Sequence, residues 1–245
     1  DLTLNVNSDV TLDGELAGDA EVHATGAGTL TITDNVTILT YSNCDMLLTL
    51  NEDGDEVELY KDEVLFDSWI LSEATSIVID GEGNDTLTID SSNGLVSVPG
   101  GIYFNGSKGT NRLILAQTQA DIAATETFSQ APGSFEGSDV ITGFTGSQMV
   151  FFRNVRSVED TVPVTGLTVN PRAGHNTVSY TEGSSTDMGM ILGGPITCAT
   201  VFEFSNKTTL NINSGAGSHT IHVNNVSTPT GLTNMSVNAT VATDL

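Results

Sequence analysis

Positive charge is what this sequence has least of: 7 Lys and Arg stand against 31 Asp and Glu in 245 residues, a formal net charge of −24. Nucleic acid and anionic membranes are held by clusters of Lys and Arg, so neither is expected as a partner. Long apolar runs are missing too. No stretch of about 18 apolar residues is present, so no membrane-spanning helix is expected. Two cysteines, Cys44 and Cys198, permit one disulfide at most, and Trp69 is the only tryptophan. No Gly-x-Ser-x-Gly elbow, Walker loop, His-Glu-x-x-His or Cys-x-x-Cys occurs, which removes the common nucleophile, phosphate and zinc motifs. The sequence starts at Asp1 without a basic-apolar leader, as expected of a chain after signal removal or of a piece of a longer one. Charged residues are only 16% of the total. The polar surface must therefore be largely Thr, Ser and Asn, which suits an extracellular β-protein in a salty medium.

What the chain has is alternation. Ser76–Asp90 reads SIVIDGEGNDTLTID, with Ile77-x-Ile79 and Leu87-x-Ile89 joined by a Gly-rich corner. Period 2 is the mark of a strand, and Gly81 and Gly83 permit the positive φ of a tight turn. Degenerate copies follow the same form: apolar residue, turn, Gly, short polar residues, apolar-x-apolar arm. Their glycines are Gly28, Gly54, Gly83, Gly109, Gly137, Gly174 and Gly217, spaced by 26, 29, 26, 28, 37 and 43 residues. A period in the twenties predicts an all-β parallel β-helix, or β-solenoid, of about nine or ten coils in one domain over 1–245. The alternative is a pair of β-sandwich domains with a joint near Val158–Pro163.

Several local expectations follow. Cys44 and Cys198 would lie about six coils apart, roughly 29 Å at about 4.8 Å per coil, too far for a disulfide, with Cys198 buried. Val57–Tyr60 and Val64–Trp69 flank Lys61-Asp62-Glu63 as a hairpin or corner, and Trp69 reads as a core or coil-edge residue. Gln117–Thr127, QTQADIAATET, is the one stretch with helical composition and predicts a short helix or loop.

Candidate chemistry is sparse. Asp53, Asp55 and Asp85 are the candidate metal ligands, with Glu56 beside them; the alternative for Asp85 is to cap its own turn. His219 and His222 are three apart, which on a strand points them to opposite faces. For an enzyme, the place to look is Arg153 or Arg156 with Glu159 and Asp160. Thr29-x-Thr31-x-Thr33 and Thr86-x-Thr88 raise ice or crystal binding, but such rows do not recur coil after coil.

Gly81-x-Gly83-Asn84-Asp85-Thr86-Leu87 is similar to the calcium-binding nonapeptide of RTX proteins, and that resemblance implies calcium as a cofactor. Its other copies replace the Asp, and the nine-residue spacing of a calcium ladder is absent. More loosely, the corners and alternating Thr arms resemble the β-solenoid stretches of bacterial surface proteins and adhesins. That implies an exported, extended scaffold. The expected function is a non-enzymatic extracellular structural or adhesive protein, a subunit or segment of a surface fibre or layer. Its expected partners are copies of itself stacked head-to-tail, or continuation in a longer chain, with glycans as a further candidate. The alternative is a β-helical polysaccharide-binding or polysaccharide-degrading lyase or hydrolase.

Overall fold

A computed structural model describes residues 2–5, 10–13, 22–25, 30–33, 35–39, 43–118, 123–143, 146–172, 177–194, 197–214 and 220–238. Among these, every regular element is a β-strand, and no helix is long and apolar enough to cross a membrane. β1 (Leu2–Asn5) pairs in parallel with β3 (Val22–Thr25), and β2 (Val10–Asp13) with β4 (Leu30–Thr33).

From β5 (Asn35–Leu39) onward the chain passes back and forth between two large sheets. The ten-stranded sheet holds β6 (Asp45–Leu50), β7 (Glu56–Lys61), β8 (Val64–Ile70), β10 (Thr86–Asp90), β12 (Asn111–Ala116) and β16 (Val155–Asp160). It is completed by β18 (Thr177–Glu182), β19 (Gly189–Gly193), β20 (Val201–Phe204) and β22 (Thr220–Asn224). The nine-stranded sheet holds β5, β9 (Ser76–Asp80), β11 (Ile102–Asn105), β13 (Ala123–Gln130), β14 (Gly137–Thr142), β15 (Ser147–Arg153), β17 (Val164–Asn170), β21 (Lys207–Asn213) and β23 (Asn234–Asn238).

Strands separated in sequence by a passage through the other sheet are paired in parallel. β6, β10, β12, β16 and β20 make one such ladder, and β5, β9, β11 and β15 another. Three antiparallel meanders interrupt the pattern, so both sheets are mixed. One is β6–β7–β8, at the end of its sheet. In the other two, the chain lands two places beyond the next free position and folds back. Thus β13 and β14 precede β15, which lies beside β11; β18 and β19 precede β20, which lies beside β16.

Register turns the alternation into a core. Met46, Leu87, Leu113, Val158 and Phe202 form one inward row, and Ile79, Phe104 and Phe152 another. Phe128 of one sheet stacks on Phe202 of the other, with ring centroids 4.0 Å apart. Burial of each such Leu, Ile or Phe contributes about 1.5–3 kcal/mol. Val158, Val162 and Val164, around the predicted joint, all belong to this same apolar cluster.

The predicted hairpin at Lys61-Asp62-Glu63 forms, with Asp62 at φ 48° and Glu63 at φ 65°, the two positive angles of a type I′ turn. Of the predicted helix or loop at Gln117–Thr127, residues 119–122 lie outside the described residues, and the part from Ala123 on is strand. That part opens β13, which gains pairing on both sides, so tertiary contacts override helical composition. Gly54, Gly83 and Gly109 adopt positive φ as expected (75°, 140° and 86°). Gly54 turns the β6–β7 hairpin rather than a crossing between sheets. Gly137 is no turn residue: it opens β14, and a side chain there would strike the Phe152 ring. Gly28, Gly174 and Gly217 lie outside the described residues.

Candidate functional site

Among the described residues, three buried carboxylates gather in one polar island. Glu126 on β13, Asp139 on β14 and Asp160 at the end of β16 are buried, and each places a carboxylate oxygen within 4.8 Å of the others. Lys207, the first residue of β21, reaches into the same space. Its Nζ lies 2.5 Å from Glu126 Oε2 and 2.9 Å from Asp160 Oδ1, with both side chains of each pair fully enclosed. It also donates to the Val162 carbonyl at 2.6 Å.

The register explains how acids come to be inside. Asp160 stands in a row with Leu48, Ile89, Leu115 and Phe204. Asp139 is flanked by Phe128 and Val150, and Glu126 by Ile141 and Leu167. Each carboxylate takes an inward position that its neighbours fill with apolar residues.

Three carboxylates against one ammonium would leave two uncompensated negative charges in an apolar interior, which is costly. Burial, reinforced by the Asp160 charge, raises both Glu126 and Asp139 well above the ordinary carboxylate range, and Lys207 offsets this only in part. Burial also works to strip the proton from Lys207. The Asp160 charge, with the hydrogen bonds to Glu126 and Asp160, outweighs it, so the ammonium is held. Both oxygens of Asp139, with Glu126 Oε1 and Asp160 Oδ2, lack hydrogen-bond partners. The upward shifts favour protons on Glu126 and Asp139, and such protons are the donors that these oxygens need. Carboxylates this close can share a metal ion, and Lys207 Nζ is the cation that stands among them.

The ligands predicted from sequence do not converge. Asp53 and Asp55 are exposed in the β6–β7 turn, where Asn51 Nδ2 donates to Asp55 Oδ1. Asp85 is buried just before β10, at the opposite end of the paired strands, roughly 17 Å of strand away. Its Oδ1 accepts from the Cys44 amide at 3.1 Å and the Cys44 thiol at 3.6 Å. Its own amide donates to Asn111 Oδ1 at 2.9 Å. Asp85 therefore ties neighbouring turns together instead of capping its own.

The predicted acid-base group also comes apart. Arg153 pairs with Glu136, Arg156 lies over the Phe135 ring, and Glu159 pairs with Arg112 on the outer surface. Asp160, one residue on, points inward. His222 is exposed, and the side chains of His23, His175 and His219 lie outside the described residues. Cys44 and Cys198 form no disulfide, as expected, but Cys198 is only half-buried and accepts from Arg172 Nη1 at 3.4 Å.

The signal missed in the sequence is phase. Glu126 shares period 2 with Phe128, Asp139 with Ile141, and Asp160 with Val158. Lys207 offers no such signal, since the buried positions of β21 run 207, 210 and 212. Comparison of the chain with protein families, curated proteins and solved structures gives no match.

Proposed function

We propose that this chain is a non-enzymatic structural or adhesive segment of an extracellular fibre or surface layer, folded as a β-solenoid of two facing sheets. The repeated passage between sheets, with parallel pairing at each return, favours the solenoid over two separate sandwiches. Function outside the cell accords with a surface of Thr, Ser, Asn and acidic groups and a charge of −24.

The observation that carries the assembly reading is the character of the sheet ends. The edge strand β8 exposes Val64 (68%), Leu65, Phe66 (55%) and Ile70. Near the opposite ends, Val223 on β22 and Val237 on β23 are exposed as well. Edge strands with free N–H and C=O groups and apolar side chains are templates for further pairing. Head-to-tail contact between copies is heterologous, and it propagates into a filament unless rotation closes a ring. Mutual repulsion of acidic subunits opposes this at low salt, so assembly strengthens as ionic strength rises.

The test replaces Leu65 and Phe66 together by Lys and follows particle size by light scattering across protein and salt concentration. Wild-type particles should grow with both, and the variant should stay small. A wild type that remains monomeric throughout, or a variant that assembles equally well, removes the filament reading.

A further inference from the structure

The Lys207 cluster places an amine and a carboxyl group in position to join. We propose that Lys207 Nζ and the Asp160 side-chain carboxyl condense into an intramolecular amide, with Glu126 relaying the protons. This goes beyond the scaffold reading and stands or falls separately from it.

Four observations converge. Lys207 Nζ is 2.9 Å from Asp160 Oδ1 in a fully enclosed pair, so the reactants are already held together and need no encounter. The Val162 amide donates to the same Oδ1 at 2.8 Å. That dipole is aimed at the oxygen that gains negative charge when nitrogen adds to the carbonyl carbon. Asp160 Oδ2 has no backbone or amine donor, which leaves it to receive the carboxyl proton of Glu126 and depart. Glu126 Oε2 lies 2.5 Å from the amine, and burial with the Asp160 charge favours the protonated form of its carboxyl.

The step balances as follows. The ammonium passes a proton to the Asp160 carboxylate, which neutralises both members of a pair that the apolar surroundings penalise. The nitrogen lone pair attacks Cγ and a C–N bond forms. The Cγ–Oδ2 bond breaks as that oxygen takes a second proton from Glu126. Glu126 recovers a proton from the nitrogen, and one water leaves. Nothing is oxidised or reduced, and no co-reactant is needed. Exclusion of bulk water from the cluster favours the amide over hydrolysis. Since each molecule reacts once, a slow step suffices. The product ties the end of β16 in one sheet to the start of β21 in the other. Asp139 then remains as a buried acid beside the amide.

The experiment is the intact mass of the purified full chain under denaturing conditions, followed by proteolysis and fragment sequencing. A mass about 18 Da below that of the sequence is expected from loss of one water, together with a branched peptide joining Lys207 to Asp160. Lys207→Met and Glu126→Gln should show the full mass, whereas Asp139→Asn should still lose water. Denaturation strips any bound ion, so the deficit reports only a covalent change. A wild type of full mass overturns the proposal, and so does a deficit that persists in Lys207→Met. A branched peptide at Glu126 or Asp139 overturns the assignment of Asp160. A Glu126→Gln chain that condenses as completely as wild type overturns the proton relay.

Discussion

Gly109 lies directly on Gly83. A side chain on Gly109 would drive into the Gly83 carbonyl, 26 residues earlier in the chain and one strand away in the ladder. Backbone thus meets backbone where the turns before β10 and β12 stack, and that contact leaves no room for a Cβ. Gly109→Ala should destabilise the fold by about 2–4 kcal/mol, from the clash together with its φ of +86°. Gly54→Ala should cost only about 1 kcal/mol, since Gly54 shares the positive φ but has space around it. Urea unfolding of both variants provides the comparison. Equal effects would mean that stacking of turns contributes nothing.

Cys44 should be the slower thiol. Burial first, then the Asp85 charge, push it up to about 11. At pH 8 roughly one molecule in a thousand would carry the reactive thiolate there. A disulfide reagent should therefore label one cysteine per native chain, Cys198, and both in urea. Asp85→Ala should accelerate labelling of Cys44 and cost about 1–3 kcal/mol, since the Cys44 amide loses its acceptor. Equal labelling of the two thiols in the native protein would contradict this arrangement.

The acidic island sets a direction for pH. Glu126 and Asp139 are raised when folded, above ordinary values of 4.5 and 3.8. Across the interval above those values the folded state binds more protons than the unfolded one. Their contribution to stability is therefore full below about pH 4 and is lost as pH rises through the folded values. In a chain whose Lys207 has not condensed, that amine is raised from 10.5, so its contribution persists below that value and fades only in strong alkali. The melting temperature should fall from pH 5 to 8 at fixed ionic strength. The surface charge of −24 acts in the same direction, so the diagnostic quantity is the slope. Glu126→Gln and Asp139→Asn should flatten it, and unchanged slopes would show that neither group carries the effect.

Calcium offers a further check. With Asp53 and Asp55 in one turn and Asp85 buried at the far end of the strands, no ion can bridge the three. Millimolar calcium or a chelator, at fixed ionic strength, should leave the melting temperature unchanged. A rise with calcium that Asp85→Asn abolishes would contradict the separation.

Much of the fold was legible because period 2 is a local property. Ile77-x-Ile79, Leu87-x-Ile89 and the hairpin around Asp62-Glu63 declare themselves within a few residues. The polar island was hidden for the opposite reason. Its members come from β13, β14, β16 and β21, and only sheet order brings Glu126 to Lys207, 81 residues away. Composition misled at Ala123–Thr127, the end of QTQADIAATET, where Glu126 resembles the solvated face of a helix until Phe128 is seen to share its phase. The Gly-to-Gly spacing misled at Gly137, because the six residues between β13 and β14 form a hairpin loop and not a crossing between sheets.

The folded-back meanders pose a problem of order in time. As the chain emerges, β13 meets the open edge of β11 before β15 exists, and a plain parallel docking there would resemble every earlier turn. The native arrangement reserves that edge for β15, so a correct molecule must leave it vacant, or release β13 from it, until two more strands have formed. The same choice recurs when β18 could take the place beside β16 that belongs to β20. Folding of this chain therefore cannot advance as a zipper from one end. It contains two decision points at which the fastest pairing is the wrong one, and long-range pairing of this kind is slow. Fit at the later strands decides the outcome: the Phe152 ring of β15 closes over Gly137 of β14, a match available only after the chain has doubled back.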